Sequence, residues 1–156
     1  MNARYVHTNL IARDWRALAT FYQNVFGCTP VPPERDLSGP WLDRATGIQG
    51  AHLRGAHLRL PGHGETGPTL ELFEYDPPGG CGQPAINRPG LGHLAFEVED
   101  VQKARDQVLA AGGRGYGQVV TIPVPGAGTV TFVYVTDPEG NIIELQSWAP
   151  SSPRRG

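Results

Sequence analysis

Two histidines and two glutamates stand at matching places in the two halves of this sequence. His7 is followed by Asp14 and Gly27, and His93 by Asp100 and Gly113, so one offset of 86 residues relates all three pairs (93 against 7, 100 against 14, 113 against 27). Each half then closes on Glu-Leu-x-x-x-x-Pro, once from Glu71 and Leu72 to Pro77 and again from Glu144 and Leu145 to Pro150. A lone strand histidine is more often a hydrogen-bonded or exposed residue than a ligand, and a lone strand glutamate usually faces water. One of each, repeated in order, points instead to an internal duplication that carries a site. Two imidazole nitrogens and two carboxylate oxygens make a borderline-hard donor set for Zn, Ni, Co, Mn or Fe(II). Six-coordination would leave two positions for water or substrate, which implies catalysis and not a structural plug.

The elements that must position these groups follow from periodicity and punctuation. Residues 4–12 read as a strand, and Asp14 caps a helix whose Trp15, Leu18, Tyr22 and Val25 recur on one face until Gly27 stops it. A Pro-rich loop from Pro30 to Pro40 precedes strand signals over 51–60 and 69–75. Residues 76–90 form a Gly/Pro linker. The order then repeats: a strand over 91–98, a cap at Asp100, a helix with Val101, Ala104 and Val108 inward, and a stop at Gly113. Strands follow near 116–122 and 129–136, and Asp137-Pro138-Glu139-Gly140-Asn141 turns the chain into a last strand over 142–148. The expected architecture is α+β, two βαβββ modules over 1–75 and 91–148, with a flexible tail over 149–156.

Strand side chains alternate between faces, so the neighbours of each candidate identify its side. Val6 and Thr8, Leu70 and Leu72, Gly92 and Leu94, and Ile143 and Leu145 flank the four ionisable residues. These largely apolar neighbours belong beneath the helices, which places His7, Glu71, His93 and Glu144 on the opposite, concave face. A dication there would relieve the cost of removing two carboxylates from water. Asn9, Phe73, Gln146 and Trp148 share the ligands' faces by the same parity and are the candidate substrate contacts, the aromatic ones being equally suited to filling the trough. Outside the repeat, His52 and His63 read as loop or strand-edge residues. His57 lies in mid-strand, where a solvent-facing role is favoured over entry into the site. The stretch from Pro30 to Gly50, with Trp41 and Arg44, has the length of a lid, a composition that ordinary surface loops share.

Composition narrows the function classes. The 156 residues suit one domain, with 13 Lys+Arg against 15 Asp+Glu and a net charge of -2. No basic stripe is present to neutralise a phosphate backbone, so nucleic acid is not an expected partner. Cys28 and Cys81 are too few and too far apart for a disulfide framework or a thiolate site, which fits a reducing cytoplasm. The N-terminus lacks the pattern of a signal peptide, and no segment approaches the ~20 apolar residues of a membrane span.

On these residues the chain resembles the vicinal oxygen chelate superfamily, which includes glyoxalase I, methylmalonyl-CoA epimerase, fosfomycin-resistance proteins, extradiol dioxygenases and bleomycin-resistance proteins. The resemblance covers residues 4–148. It is carried by the opening strand with His7, by Leu70-Glu71-Leu72, by Gly92-His93-Leu94-Ala95-Phe96, and by Asp137-Pro138-Glu139-Gly140-Asn141-Ile142-Ile143-Glu144-Leu145. It implies paired βαβββ modules curving into an open, incomplete barrel with helices on the convex side, commonly in a homodimer, and a divalent metal on His7, Glu71, His93 and Glu144.

A complete His/Glu/His/Glu set is closest to bacterial glyoxalase I and near to the epimerase, which has Gln at the place of Glu71. Extradiol dioxygenases and fosfomycin-resistance enzymes generally use two His and one Glu. Glutathione-dependent glyoxalases of this type carry an Arg four residues after the first ligand, where this chain has Ile11, so glutathione is not the expected co-substrate. The implied chemistry is lyase or isomerase: abstraction of a proton next to the carbonyl of a small substrate, with Glu144 as first choice of base and Glu71 as second. Two alternatives stand beside it. An Fe(II) dioxygenase would need a proton-handling side chain, for which His57 and Tyr134 are the candidates. A drug-binding resistance protein would hold its ligand without converting it.

Overall fold

The computed structural model describes residues 2–80, 82, 84–87 and 89–150, which form two compact units, one within residues 1–81 and one within 82–156. Each unit is a mixed sheet with helical cover, and the described residues contain nine strands and three helices. The boundary falls inside the Gly/Pro segment 76–90. Cys81 and residues 151–156, most of the expected tail, lie outside the described residues.

In the first unit β1 (His7–Ile11) leads into α1 (Trp15–Phe26). Asp14 starts the helix by accepting a 3.0 Å hydrogen bond from the Ala17 N–H, and Gly27 ends it in the left-handed region at φ 69. Trp15, Leu18, Ala19, Phe21 and Tyr22 are buried. They face β3 (His52–Arg59) and β4 (Thr69–Asp76), where Leu58, Leu70 and Leu72 are 0–1% exposed. Each such leucine contributes about 1.5–3 kcal/mol of burial. The strand order is β1-β4-β3-β2, with β1 parallel to β4 and the other pairs antiparallel.

Two expectations are corrected here. The Pro-rich stretch is no loop but strand β2 (Thr29–Ser38). Proline removes a ladder donor, which a strand tolerates at a sheet edge or a bulge; β2 is the edge strand, and its register shifts between Val31 and Arg35, across Pro32 and Pro33. The candidate lid is helix α2 (Pro40–Thr46). Pro40 sits in its first turn, Leu42 is buried, and Gly47 closes it at φ 72. Trp41 and Arg44 therefore lie on a short helix.

The second unit repeats the plan with β5 (Leu94–Glu97), α3 (Val101–Ala110), β6 (Arg114–Gly115), β7 (Val120–Val124), β8 (Gly128–Thr136) and β9 (Ile142–Ala149). The order is β5-β9-β8-β6, with β7 also on β8 and β5 parallel to β9. Asp100 caps α3 through the Lys103 N–H at 2.9 Å, as Asp14 caps α1. The expected strand over 116–122 is corrected: β6 ends at Gly115, the N–H groups of Tyr116 and Gly117 both turn to the Tyr134 carbonyl, and β7 begins only at Val120.

Gly113 is not the helix stop. Gly112 takes the positive φ of 93, while a Cβ on Gly113 would lie 2.4 Å from the Thr136 carbonyl oxygen, so Gly113 is needed for close packing of the chain on β8. The turn before β9 is built on Asp137, fully buried, whose Oδ1 accepts from the N–H groups of Glu139 and Asn141 and whose Oδ2 accepts from the Asn141 side chain. Among the described residues no helix is long and apolar enough to cross a membrane.

Candidate metal centre

The strand parity that buries Leu70 and Leu72 under α1 turns Glu71 to the other side of the first sheet. Its side chain is only 12% exposed and its carboxylate stands between two imidazoles. His7 Nε2, from the start of β1, is 3.3 Å from Oε2, and His57 Nε2, from β3, is 3.0 Å from Oε1. His57 lies directly opposite Glu71 in the antiparallel register, and its Nδ1 is 3.4 Å from the Thr69 hydroxyl. Its ring meets those of His7 and Phe73 edge-on. The expectation of a solvent-facing His57 is thus overturned: its side chain is 17% exposed. Burial pushes the imidazole below its ordinary range; Glu71 opposes this, and the charges of Arg35 and His7 add to it. The alternation of β3 contained the signal, since His57, Gly55 and Leu53 share a face. The β3–β4 register that sets it against Glu71 is not written in either strand alone.

In the second unit Ile143 and Leu145 are fully buried and Glu144 turns outward from the helix side. His93, one residue before β5, places Nε2 3.0 Å from Glu144 Oε2. The residue opposite Glu144 in the register is Tyr134, whose ring lies 5.3 Å from that of His93. Burial raises the Tyr134 phenol above its usual range, and the neighbouring Glu144 charge raises it further. It is a neutral donor at physiological pH.

The four expected ligands thus fall into two pairs, His7 with Glu71 and His93 with Glu144. Donors about 2.1 Å from one ion at right angles stand ~3 Å apart, so the nitrogen–oxygen distances within each pair suit two ligands of one divalent cation. Each pair supplies one imidazole and one largely shielded glutamate, a combination that fits the borderline ions. Among the described residues no group of three or more His, Cys, Asp and Glu is arranged to hold a metal ion.

Of the expected substrate contacts, Asn9 is exposed and stands in register with Glu71. Phe73 is half-buried against Leu42, Ala51 and Leu53, a cluster that α2 helps to build. Trp148 donates to Gln146 at 3.1 Å and borders an open cleft of about 370 Å³ with Glu97, Thr131 and Ser147, which none of the four candidate ligands lines. His52 pairs with Asp36 at 2.5 Å on an exposed edge, and His63 lies in the β3–β4 connection.

The model of the glyoxalase/bleomycin resistance protein/dioxygenase superfamily matches residues 4–145. An ethylmalonyl-CoA/methylmalonyl-CoA epimerase of Cereibacter sphaeroides is 26% identical over 147 residues, covering 94% of this chain and 98% of that protein. Among solved structures, a glyoxalase family protein from Bacillus cereus superposes with a TM-score of 0.79 at 18% identity, covering 95% of each chain. A fosfomycin resistance protein, FosX, from Listeria monocytogenes, solved with Mn(II) and sulfate, gives 0.55 at 16% identity, covering 96% of this chain and 95% of that one. At these identities the structural likenesses establish the fold.

Proposed function

This chain belongs to the glyoxalase/bleomycin resistance protein/dioxygenase superfamily, and from that premise we propose that it is a divalent-metal-dependent lyase or isomerase that moves a proton next to a carbonyl on a small substrate. The observation that carries the reading is the repeated pairing of a histidine with a shielded glutamate, at 3.3 Å in one unit and 3.0 Å in the other. The likeness to an epimerase favours isomerisation.

His7, Glu71, His93 and Glu144 would hold the ion. When bound, a dication supplies stabilisation of the negative oxygen that develops as the neighbouring carbon loses its proton, an interaction stronger in the transition state than in the ground state. Glu144 takes the proton in this reading. Tyr134, opposite Glu144 in the register, does not compete for the proton, because its phenol stays protonated. Glu71, with one oxygen facing each imidazole, is held in place and serves as ligand, with proton return as its second role. His7 and His93 anchor. Ile11, 54% exposed, offers an apolar surface where a glutathione-dependent relative would carry Arg. Assembly as a homodimer belongs to the same proposal.

The test is solvent deuterium incorporation at the α-carbon of methylmalonyl-CoA. Metal-free protein should give none, and added Ni, Co or Zn should restore it. Exchange that proceeds at the same rate in Glu144→Gln and Glu71→Gln would remove both bases.

The contacts of His57 with Glu71 and of Tyr134 with Glu144 favour one second reading, an Fe(II) dioxygenase that uses either group to handle a proton. Oxygen consumption with catechols by iron-loaded protein would select it.

A further inference from the structure

The arginines of the first sheet are treated differently on its two sides. On the helix side, Arg54 pairs with Glu74 at 2.7 Å and Arg16 with Glu34 at 3.1 Å. On the side of Glu71, Arg35 has no acidic partner among the described residues, and its guanidinium donates to the Pro33 carbonyl. Arg59, on the same face by parity, likewise donates to a carbonyl, that of Gly67. Arg35 is half-buried and lies opposite Gly55, two residues along β3 from His57. Gly55 is obligatory, since a Cβ there would stand 2.1 Å from the Leu72 carbonyl oxygen and 2.4 Å from the Phe73 ring. By register Arg35 belongs to the face that carries His57 and Glu71, and Gly55 puts no side chain of its own between them.

A half-buried cation without a counter-charge, beside a reacting centre, is a binding group awaiting an anion. We propose that Arg35 is the anion-recognition residue of this site and takes an oxyanion, carboxylate or phosphate, carried by the substrate. The inference rests on the reading above for the position of the reacting carbon, and it names the substrate class as anionic. A planar guanidinium can grip either oxyanion with two parallel hydrogen bonds, which a lysine cannot match.

Calorimetric titration with malonate, its neutral analogue malonamide, and inorganic phosphate tests the inference on the full chain. At fixed ionic strength Arg35→Gln should weaken the preferred oxyanion about ten- to hundredfold, Arg35→Lys less, and Arg54→Gln on the opposite face not at all. Dependence of malonate binding on Arg35 identifies a carboxylate, and dependence of phosphate binding identifies a phosphoryl group. If neither probe depends on Arg35, or if malonamide binds as well as malonate, the inference falls. α-Proton exchange separates the two claims: oxyanion binding that needs Arg35 in a protein that exchanges no proton preserves this inference and sinks the proposed reaction. Normal exchange with Arg35→Gln indifferent to both anions does the reverse.

Discussion

The two units place the same pair of groups at the same positions and differ in what stands beside the carboxylate. In each, a carboxylate on the last strand faces a histidine at or just before the first strand, and a second side chain stands opposite it in the antiparallel register. That second residue is His57 in the first unit and Tyr134 in the second. An imidazole can donate or accept and can carry charge, whereas a half-buried phenol beside a carboxylate stays neutral. The surroundings diverge in the same direction. Arg35 and Arg59 share the face of Glu71, while Phe132 and Trp148 share the face of Glu144. Duplication kept the positions, and substitution at the positions gave the two carboxylates different company.

On the proposed reading that difference divides the work, and the largest expected effect breaks it directly. Glu144→Gln should lower α-proton exchange about 10²- to 10⁴-fold, and Glu71→Gln should act chiefly through metal affinity. Exchange rates normalised to bound metal check this, and equal losses after normalisation would erase the distinction.

The scaffold should respond alike in both units. Gly55→Ala and Gly113→Ala each drive a Cβ into a backbone carbonyl, at 2.1 and 2.4 Å, and each should cost about 3 kcal/mol or more. Urea unfolding followed in both variants measures it, and tolerance of either would show that its strand pairing can shift. Asp14→Ala and Asp100→Ala should each cost about 1 kcal/mol, since each removes one capping bond of the same kind. A loss in only one variant would show unequal dependence on the two helices.

The smallest effect concerns a residue with no counterpart in the duplication. Cys28 is 3% exposed and burial lifts its thiol to about 11. Native protein at pH 8 should therefore leave Cys28 unalkylated, with modification appearing only in urea, as peptide mapping would record.

What the sequence made legible was whatever repeats or alternates. Leu70-Glu71-Leu72 and Ile143-Glu144-Leu145 show by parity alone which side of the sheet each glutamate takes, and Asp14 and Asp100 mark their helix starts. Hidden from it was whatever depends on a neighbouring strand. Pro30, Pro32 and Pro33 argue for a loop until β2 is known to be an edge strand with a shifted register. His57 looks solvent-facing until β4 is laid beside β3. Gly113 looks like a helix stop until the Thr136 carbonyl is seen behind it. Local chemistry proposes and pairing decides, because a strand's partner sets which groups meet.

Elemental analysis of untagged protein tests the central claim most directly. If the four donors serve one ion, the wild type carries one divalent metal per chain, and His7→Ala and His93→Ala each lose it, although the two histidines belong to different units. Full metal retention in either variant would contradict the account, because the ion would then be held without a contribution from that half.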